Sequence, residues 1–535
     1  MSMIAIESGI NRLNLAATSG TTRRRLAIVG CGPRGLQCLE AISRRLSTQE
    51  LAELEIVVFE PALYPGAGCV YDPRQPQWLR MNFASQYIDF WRTSRDSQTT
   101  RNDSLIDWLS QYYPQYAATD EYIPRAIVGE YLHECFCIVR DRLDRITQLT
   151  VVCSAIWQVV CGERNWMVRY EGLTVPFDEV VVTTGHEGLR ISPSLASFCS
   201  LADNHPFGDL EQIAPQCTLM IRGFGLTAID RLLTLTLGRG GHCISSGLLP
   251  RYCRSGNEPA LIDLQSRTGR PMLAKPTAKV EPISDDFWKS YRAAFCEQAL
   301  SWRDIWSIVT SASAALVTEA GTSTTMSEVD NWFRDWSRLT MDHTMARHSL
   351  MQSYVVAIGK RPIDIPFALG ESWRKVYPQL VEFIGHGKLS ANDWQNYRRV
   401  ADEMERIAFG PPAESVGIIL SLIRAKLVRI GHQSSEIKTY DAVLDAVIAG
   451  PHEHADSGPL AGLIASRAIA VDEISGAVKV DEAGRPLGDA DGLAVVGLAV
   501  FGRATEGWII GNDTLSRTLH SHIERWANQL HLGRS

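Results

Sequence analysis

No two of the chain's twelve cysteines are spaced as CxxC, and the nearest pair is Cys135 and Cys137. That excludes a dithiol redox pair and a zinc knuckle, and no metal site is expected; reduced thiols in a cytoplasmic protein are the plain reading. Long apolar runs are also missing. The longest, Leu493 to Phe501, is interrupted by Gly497 and falls far short of the ~20 residues that span a bilayer. Residues 1–22 carry Glu7 and Arg12 where a signal peptide would be apolar, and Arg23-Arg24-Arg25 reads as a solvated entry to the first strand. There is no basic excess either. A net charge of −7 gives no reason to expect nucleic acid or an anionic membrane as partner. What remains is an ordinary soluble composition, 45% hydrophobic and 21% charged, over 535 residues, too many for one core.

The first strong pattern is Leu26-Ala-Ile-Val-Gly30-Cys-Gly32-Pro-Arg34-Gly35. A short apolar strand meets Gly-x-Gly-x-x-Gly, and Leu36, Leu39, Ile42 and Leu46 then recur at helical spacing. Strand, glycine turn and helix in that order suit a dinucleotide. Gly30 allows the tight turn, Gly32 lets backbone approach the pyrophosphate, and Gly35 lets helix pack on strand. The helix amino end supplies N–H groups and partial positive charge. A second strand, Glu55 to Glu60, ends in a carboxylate. Glu60 lies slightly beyond the usual ~20 residues and suits a ribose hydroxyl acceptor.

Further along, Thr150 to Cys153, Ile156 to Val160 and Trp166 to Tyr170 read as a small antiparallel sheet. Glu179 to Val182 reads as a buried strand ending in Thr184-Gly185. The strand–turn–helix signature then returns at Cys217 to Asp230 as Gly223-Phe-Gly225-Leu226-Thr227-Ala228. No acid follows at the ribose distance, and arginines come instead: Arg251, Arg254, Arg267 and Arg270. An acid repels a 2′-phosphate and arginine clamps one, so NADPH is expected here over NADH, with Arg251 and Arg267 the candidate contacts. Tryptophan-rich stretches after residue 285, and residues 373–431, read as helices. Asp513 or Thr514 could cap the last helix. The expected divisions are a polar extension at 1–22, a first nucleotide domain at 23–200, an inserted second one with a helical insertion at 201–350, a helical region at 351–480, and a return to the first domain at 481–535.

Two dinucleotide signatures in one chain suggest flavin and nicotinamide, and the motifs agree. Gly30 to Gly35, Leu79-Arg80-Met-Asn82, Tyr122 to Arg125, Thr183 to His186, Gly223 to Asp230, Ser266 to Pro271, Ala408 to Pro412, Gly502 to Gly507 and Asp513 to Arg517 resemble the class B flavin-dependent monooxygenases. That superfamily includes the amine N-hydroxylases. More narrowly, the chain resembles bacterial FAD/NAD(P)-binding proteins of GxGPRG type. The resemblance implies an α/β fold of two Rossmann-like domains, for FAD and NADP, with an additional helical region. It implies that Gly30, Gly32, Arg34, Gly35 and Glu60 hold FAD, that Asn82, Thr184, Gly185, Gly502, Asp513 and Thr514 line it, and that Gly223, Gly225, Leu226 and Thr227 hold NADPH. The expected reaction is N-hydroxylation of a small, aspartate-like amino acid with O₂ through a flavin C4a-hydroperoxide. Arg80, Arg92 and Arg125 are candidate contacts for the substrate carboxylate. An oxidase or dehydrogenase without oxygen insertion, and a non-catalytic nucleotide-binding scaffold, are the alternatives; a homo-oligomer stays open.

Overall fold

Arg24–Val29 and Leu54–Phe59 each end in four fully buried residues, the pattern of strands covered on both faces. The computed structural model, which describes residues 23–91, 103–117, 122–185, 208–277, 280, 283–296, 300–432, 440–448, 450, 458–512 and 514–530, pairs them in parallel from Arg24 opposite Leu54 to Val29 opposite Phe59. Gln148–Val152 lies outside Leu54–Phe59. On the other side come Glu179–Val182 and then Leu498–Val500. All five strands are parallel. Helices Pro33–Arg45, Arg125–Leu143 and His522–Gln529 bury one face through Leu36, Leu39, Val128, Leu132 and Trp526.

An antiparallel sheet of Gln158–Cys161, Trp166–Tyr170 and Leu173–Phe177 covers the other face, packing Val168, Tyr170 and Phe177 on Phe59. The sequence reading started this sheet too early. Gln148–Val152 instead continues the parallel sheet, because helix Arg125–Leu143 returns the chain to the sheet's amino end, where Leu54–Phe59 still has unpaired backbone groups.

A second sheet repeats the topology. Its order is Val428–His432, Leu261–Ser266, Thr218–Arg222, Ala442–Asp445, again all parallel. In each sheet the third, second, first and fourth strands stand side by side in that order. The crossover between the second and third strands of this sheet is residues 267–427, and it carries helices from Asp285–Ala293 to Ala413–Arg424. The division expected at 351–480 therefore falls elsewhere. Its helices up to Ala413–Arg424 belong to this crossover, residues 428–445 supply two strands of the second nucleotide sheet, and Ala461–Ala465 packs on the first domain. Those strands are only four and five residues long, too short to separate from buried helix by periodicity.

Aromatic rings pack the crossover helices on one another: Trp302 meets Trp373 and Tyr397 with ring centroids 6.4 and 5.3 Å apart. Among the described residues no helix is long and apolar enough to cross a membrane.

Candidate functional site

The first sheet reverses its strand order between Arg24–Val29 and Glu179–Val182, and open α/β sheets bind ligands beyond the carboxyl ends at such a point. Gly30 turns there with φ of +86°. A Cβ at Gly35 would lie 2.3 Å from the Gly30 carbonyl oxygen, so helix and turn meet at a distance only glycine permits. Thr183 Oγ1 donates to the same carbonyl at 2.5 Å. It sits within a motif read from the sequence but had no role there.

Helix Pro33–Arg45 starts at Gly32 with no side-chain cap. Eight other helices are capped by Ser47, Ser104, Ser284, Ser301, Thr325, Asp342, Asp364 and Ser390, while those after Pro124, Pro412, Leu460 and Ser521 are uncapped without starting on a glycine turn. An uncapped amino end on a glycine turn keeps its N–H groups for an anion.

Glu60 is buried at the crevice edge. Its Oε2 accepts from the Cys31 amide at 2.6 Å and its Oε1 from the Ala62 amide at 2.8 Å. Burial raises its pKa, and the two amides oppose the shift. A carboxylate has about four acceptor directions, so two bonds leave capacity for ribose hydroxyls. Gly185 is exposed, and a Cβ there would meet nothing within 4 Å. Gly502 comes back beside them: its Cβ would lie 3.7 Å from Arg34 Cγ and 3.9 Å from the Thr184 carbonyl oxygen. The crevice thus fits FAD in its open glycine backbone, free helix end and ribose-side acid.

Arg34 itself is a clasp. Its Nε and Nη2 donate to the Asn512 carbonyl at 3.2 and 2.8 Å, and Nη1 donates to Gln37 at 2.9 Å. Thr514 accepts the Ser516 amide in a local turn. The last helix begins instead at His522 after Ser521, which corrects the expected cap. Arg92 and Asp513 lie outside the described residues.

The second sheet makes the same kind of crevice between Thr218–Arg222 and Ala442–Asp445. Gly223 has φ of +118°, and its Cβ would lie 3.0 Å from the Ala446 carbonyl oxygen. Gly225 starts helix Leu226–Thr236, again without a side-chain cap and with open space where its Cβ would be. Leu226 and Thr227 form the first turn, and Ala228 is fully buried.

Arg267 is exposed directly beyond strand Leu261–Ser266, the place of the ribose acid in NAD-binding domains. Arg270 is spent on Glu403 at 2.9 and 2.6 Å. Arg251 opens the short strand Arg251–Cys253, which is held at the other end of the sheet: Arg424 donates to the Pro250 carbonyl and Arg254 to that of Ala425, just before strand Val428–His432 begins. The structure thus moves Arg251 away from the crevice. Asp445, missed in the sequence, pairs with Arg222 at the crevice floor, and its Oδ2 is buried without a hydrogen-bond partner.

Where the two domains meet, the Asn82 side-chain amide donates to the Phe409 carbonyl at 3.2 Å. The buried Lys275 ammonium donates to the Asn82 carbonyl and lies 5.5 Å from the Phe409 ring centroid. Arg80 donates to the Tyr122 carbonyl at 3.2 Å and to Glu414 at 3.1 Å. Arg125 forms a two-pronged bond to Asp230. The structure brings Arg80, Asn82 and Arg125 together. Lys275 carried no sequence signal, since a lysine near a proline is unremarkable.

Residues 27–187 match the family described as FAD-NAD(P)-binding. The chain is 32% identical over 291 residues to an L-aspartate N-monooxygenase (nitrosuccinate-forming) of Streptomyces cremeus, covering 47% of this chain and 43% of that protein. It is 29% identical over 279 residues to a nitrosuccinic acid synthase of Aspergillus oryzae, covering 49% and 42%. Each match spans less than half the length of the curated relative. Among solved structures, L-lysine 6-monooxygenase from Pseudomonas syringae aligns with a TM-score of 0.46 and 14% identity, over 96% of this chain and 100% of that one.

Proposed function

We propose that the chain is an FAD- and NADPH-dependent monooxygenase that hydroxylates the amine of a small, aspartate-like amino acid. One observation carries this: two switch-point crevices in one chain, each with an open glycine turn and an uncapped helix end, one edged by Glu60 and the other by Arg267. The likeness of about half the chain to an L-aspartate N-monooxygenase supports the substrate class. The ten cysteines with described side chains are free thiols, which suits the cytoplasm.

Gly30, Gly32, Gly35, Glu60, Thr184, Gly185 and Gly502 would hold FAD, with Thr514 beyond them. Gly223, Gly225, Leu226 and Thr227 would hold the NADPH pyrophosphate, and Arg267 its 2′-phosphate. FAD, when bound, supplies two-electron transfer and oxygen activation. The balance is one amine, one O₂, one NADPH and one proton giving a hydroxylamine, water and NADP⁺. The chain's part is to hold the amine and its carboxylates near Asn82 and to keep water out. Arg80 suits a carboxylate contact, because its partner Glu414 is half exposed and such surface pairs are weak enough to exchange.

A panel of amino acids tests this on the flavin-loaded protein with NADPH, following oxygen uptake and product mass together. Uptake stimulated by L-aspartate, with a product one oxygen heavier, supports the reading. Hydrogen peroxide formed without stimulation by any amine sinks it.

A further inference from the structure

Arg125 heads helix Arg125–Leu143, and this helix braces the loop over the first crevice. A Cβ at Gly129 would fall 1.7 Å from the Tyr71 carbonyl oxygen, and one at Gly66 would fall 2.6 Å from that of Leu132. Gly66 in turn donates its amide to the Cys31 carbonyl at 2.6 Å, inside the first glycine turn. Asp230 lies on helix Leu226–Thr236, whose amino end forms the second crevice. Between these helices Arg125 Nη1 reaches Asp230 Oδ2 at 2.6 Å, and Nη2 reaches Oδ1 at 2.7 Å. Arg125 Nε donates to the Arg80 carbonyl at 3.1 Å. The two side chains are only 15% and 11% exposed. A substrate carboxylate would have to displace a buried, bidentate partner, and such pairs are strong and geometrically specific.

Resting on the two-site reading above, we infer that Arg125–Asp230 is a positioning pair: it fixes the nicotinamide crevice against the flavin crevice, and Arg125 is not a substrate contact. A fixed-geometry bond joining the helix that braces the first crevice to the helix that starts the second holds the one distance that hydride delivery depends on, and displacements near 1 Å suffice to slow such steps by about 100-fold.

The test uses the flavin-loaded protein, Arg125→Met, Asp230→Asn, and the exchange Arg125→Asp/Asp230→Arg. Anaerobic bleaching of the flavin by saturating NADPH is expected to slow by about 10- to 100-fold in each single variant. Flavin content and bleaching by dithionite are expected to stay unchanged, and the exchange is expected to restore much of the NADPH rate. X-ray scattering without nucleotide should show a broadened domain separation in the single variants that the exchange reverses. Wild-type bleaching by Arg125→Met with a raised KM for the amino acid would overturn the inference and make Arg125 a substrate contact. If the wild-type flavin is not bleached by NADPH, the functional reading falls. Scattering then decides the pair alone: altered singles restored by the exchange support it, and identical profiles overturn it.

Discussion

A methyl group at position 35 would press on the Gly30 carbonyl oxygen at 2.3 Å, whereas one at position 225 would enter open space. Two Gly→Ala changes in the same kind of motif should therefore fail differently. Gly35→Ala is expected to cost about 1–3 kcal/mol as strain and to release flavin, read as a lower melting temperature and a lower flavin-to-protein absorbance ratio. Gly225→Ala is expected to fold normally and weaken NADPH binding, read by titration.

His520 offers a test by pH. Its Nε2 lies 3.1 Å from the Gly511 carbonyl, and its ring stacks on His522, which stacks on Phe501. Burial, then the neighbouring Arg34 charge, lowers its pKa to about 4 from 6.5. The unfolded chain takes up this proton below pH 6.5 and the folded chain does not until about pH 4. Stability should thus be level above 6.5 and fall by about 3 kcal/mol between 6.5 and 4. His522, lowered by burial as well, adds to the same limb. Urea unfolding of the protein and of His520→Phe at pH 7 and pH 4.5 checks this; the variant should lose less.

At the level of elements, the C-terminal segment is tied to the first sheet by one buried carboxylate. Glu179 accepts from Arg485 Nη1 at 2.5 Å and from Trp526 Nε1 at 2.8 Å. Arg485→Met leaves that charge unpaired and is expected to cost roughly 3–5 kcal/mol, measured by denaturant unfolding. In the second crevice Arg267→Ala should raise the KM for NADPH by about 10- to 100-fold, the loss of a charge-assisted bond of roughly 1.5–3 kcal/mol, while NADH kinetics stay unchanged.

Both strand–turn–helix units were legible in the sequence, because a glycine demanded by local geometry leaves its mark within a few residues. Val428–His432 and Ala442–Asp445 were not, because what makes them strands is the partner Leu261–Ser266 or Thr218–Arg222 far away in the chain. Arg125 was read as a ligand for the same reason. Its sequence neighbours say nothing of Asp230, and only the packed helices bring the two together. Arg251 looked equal to Arg267 by spacing, and topology alone separates the ends of the sheet.

In the whole molecule, one Rossmann-like sheet is completed by a strand near the chain's end, and the other is opened between its second and third strands by a long helical crossover. That crossover returns Lys275, Phe409 and Glu414 to the loop holding Arg80 and Asn82, so the seam between the two domains is built from three distant stretches. The order of strands and the two glycine turns agree with the two dinucleotide sites proposed above. The most direct measurement supplies isotopically labelled O₂ to the flavin-loaded protein with NADPH and L-aspartate, then reads the label in the products. One labelled oxygen on the amine nitrogen for each NADPH consumed is the expected result. Unlabelled aspartate, with all reducing equivalents recovered as labelled hydrogen peroxide, would contradict it.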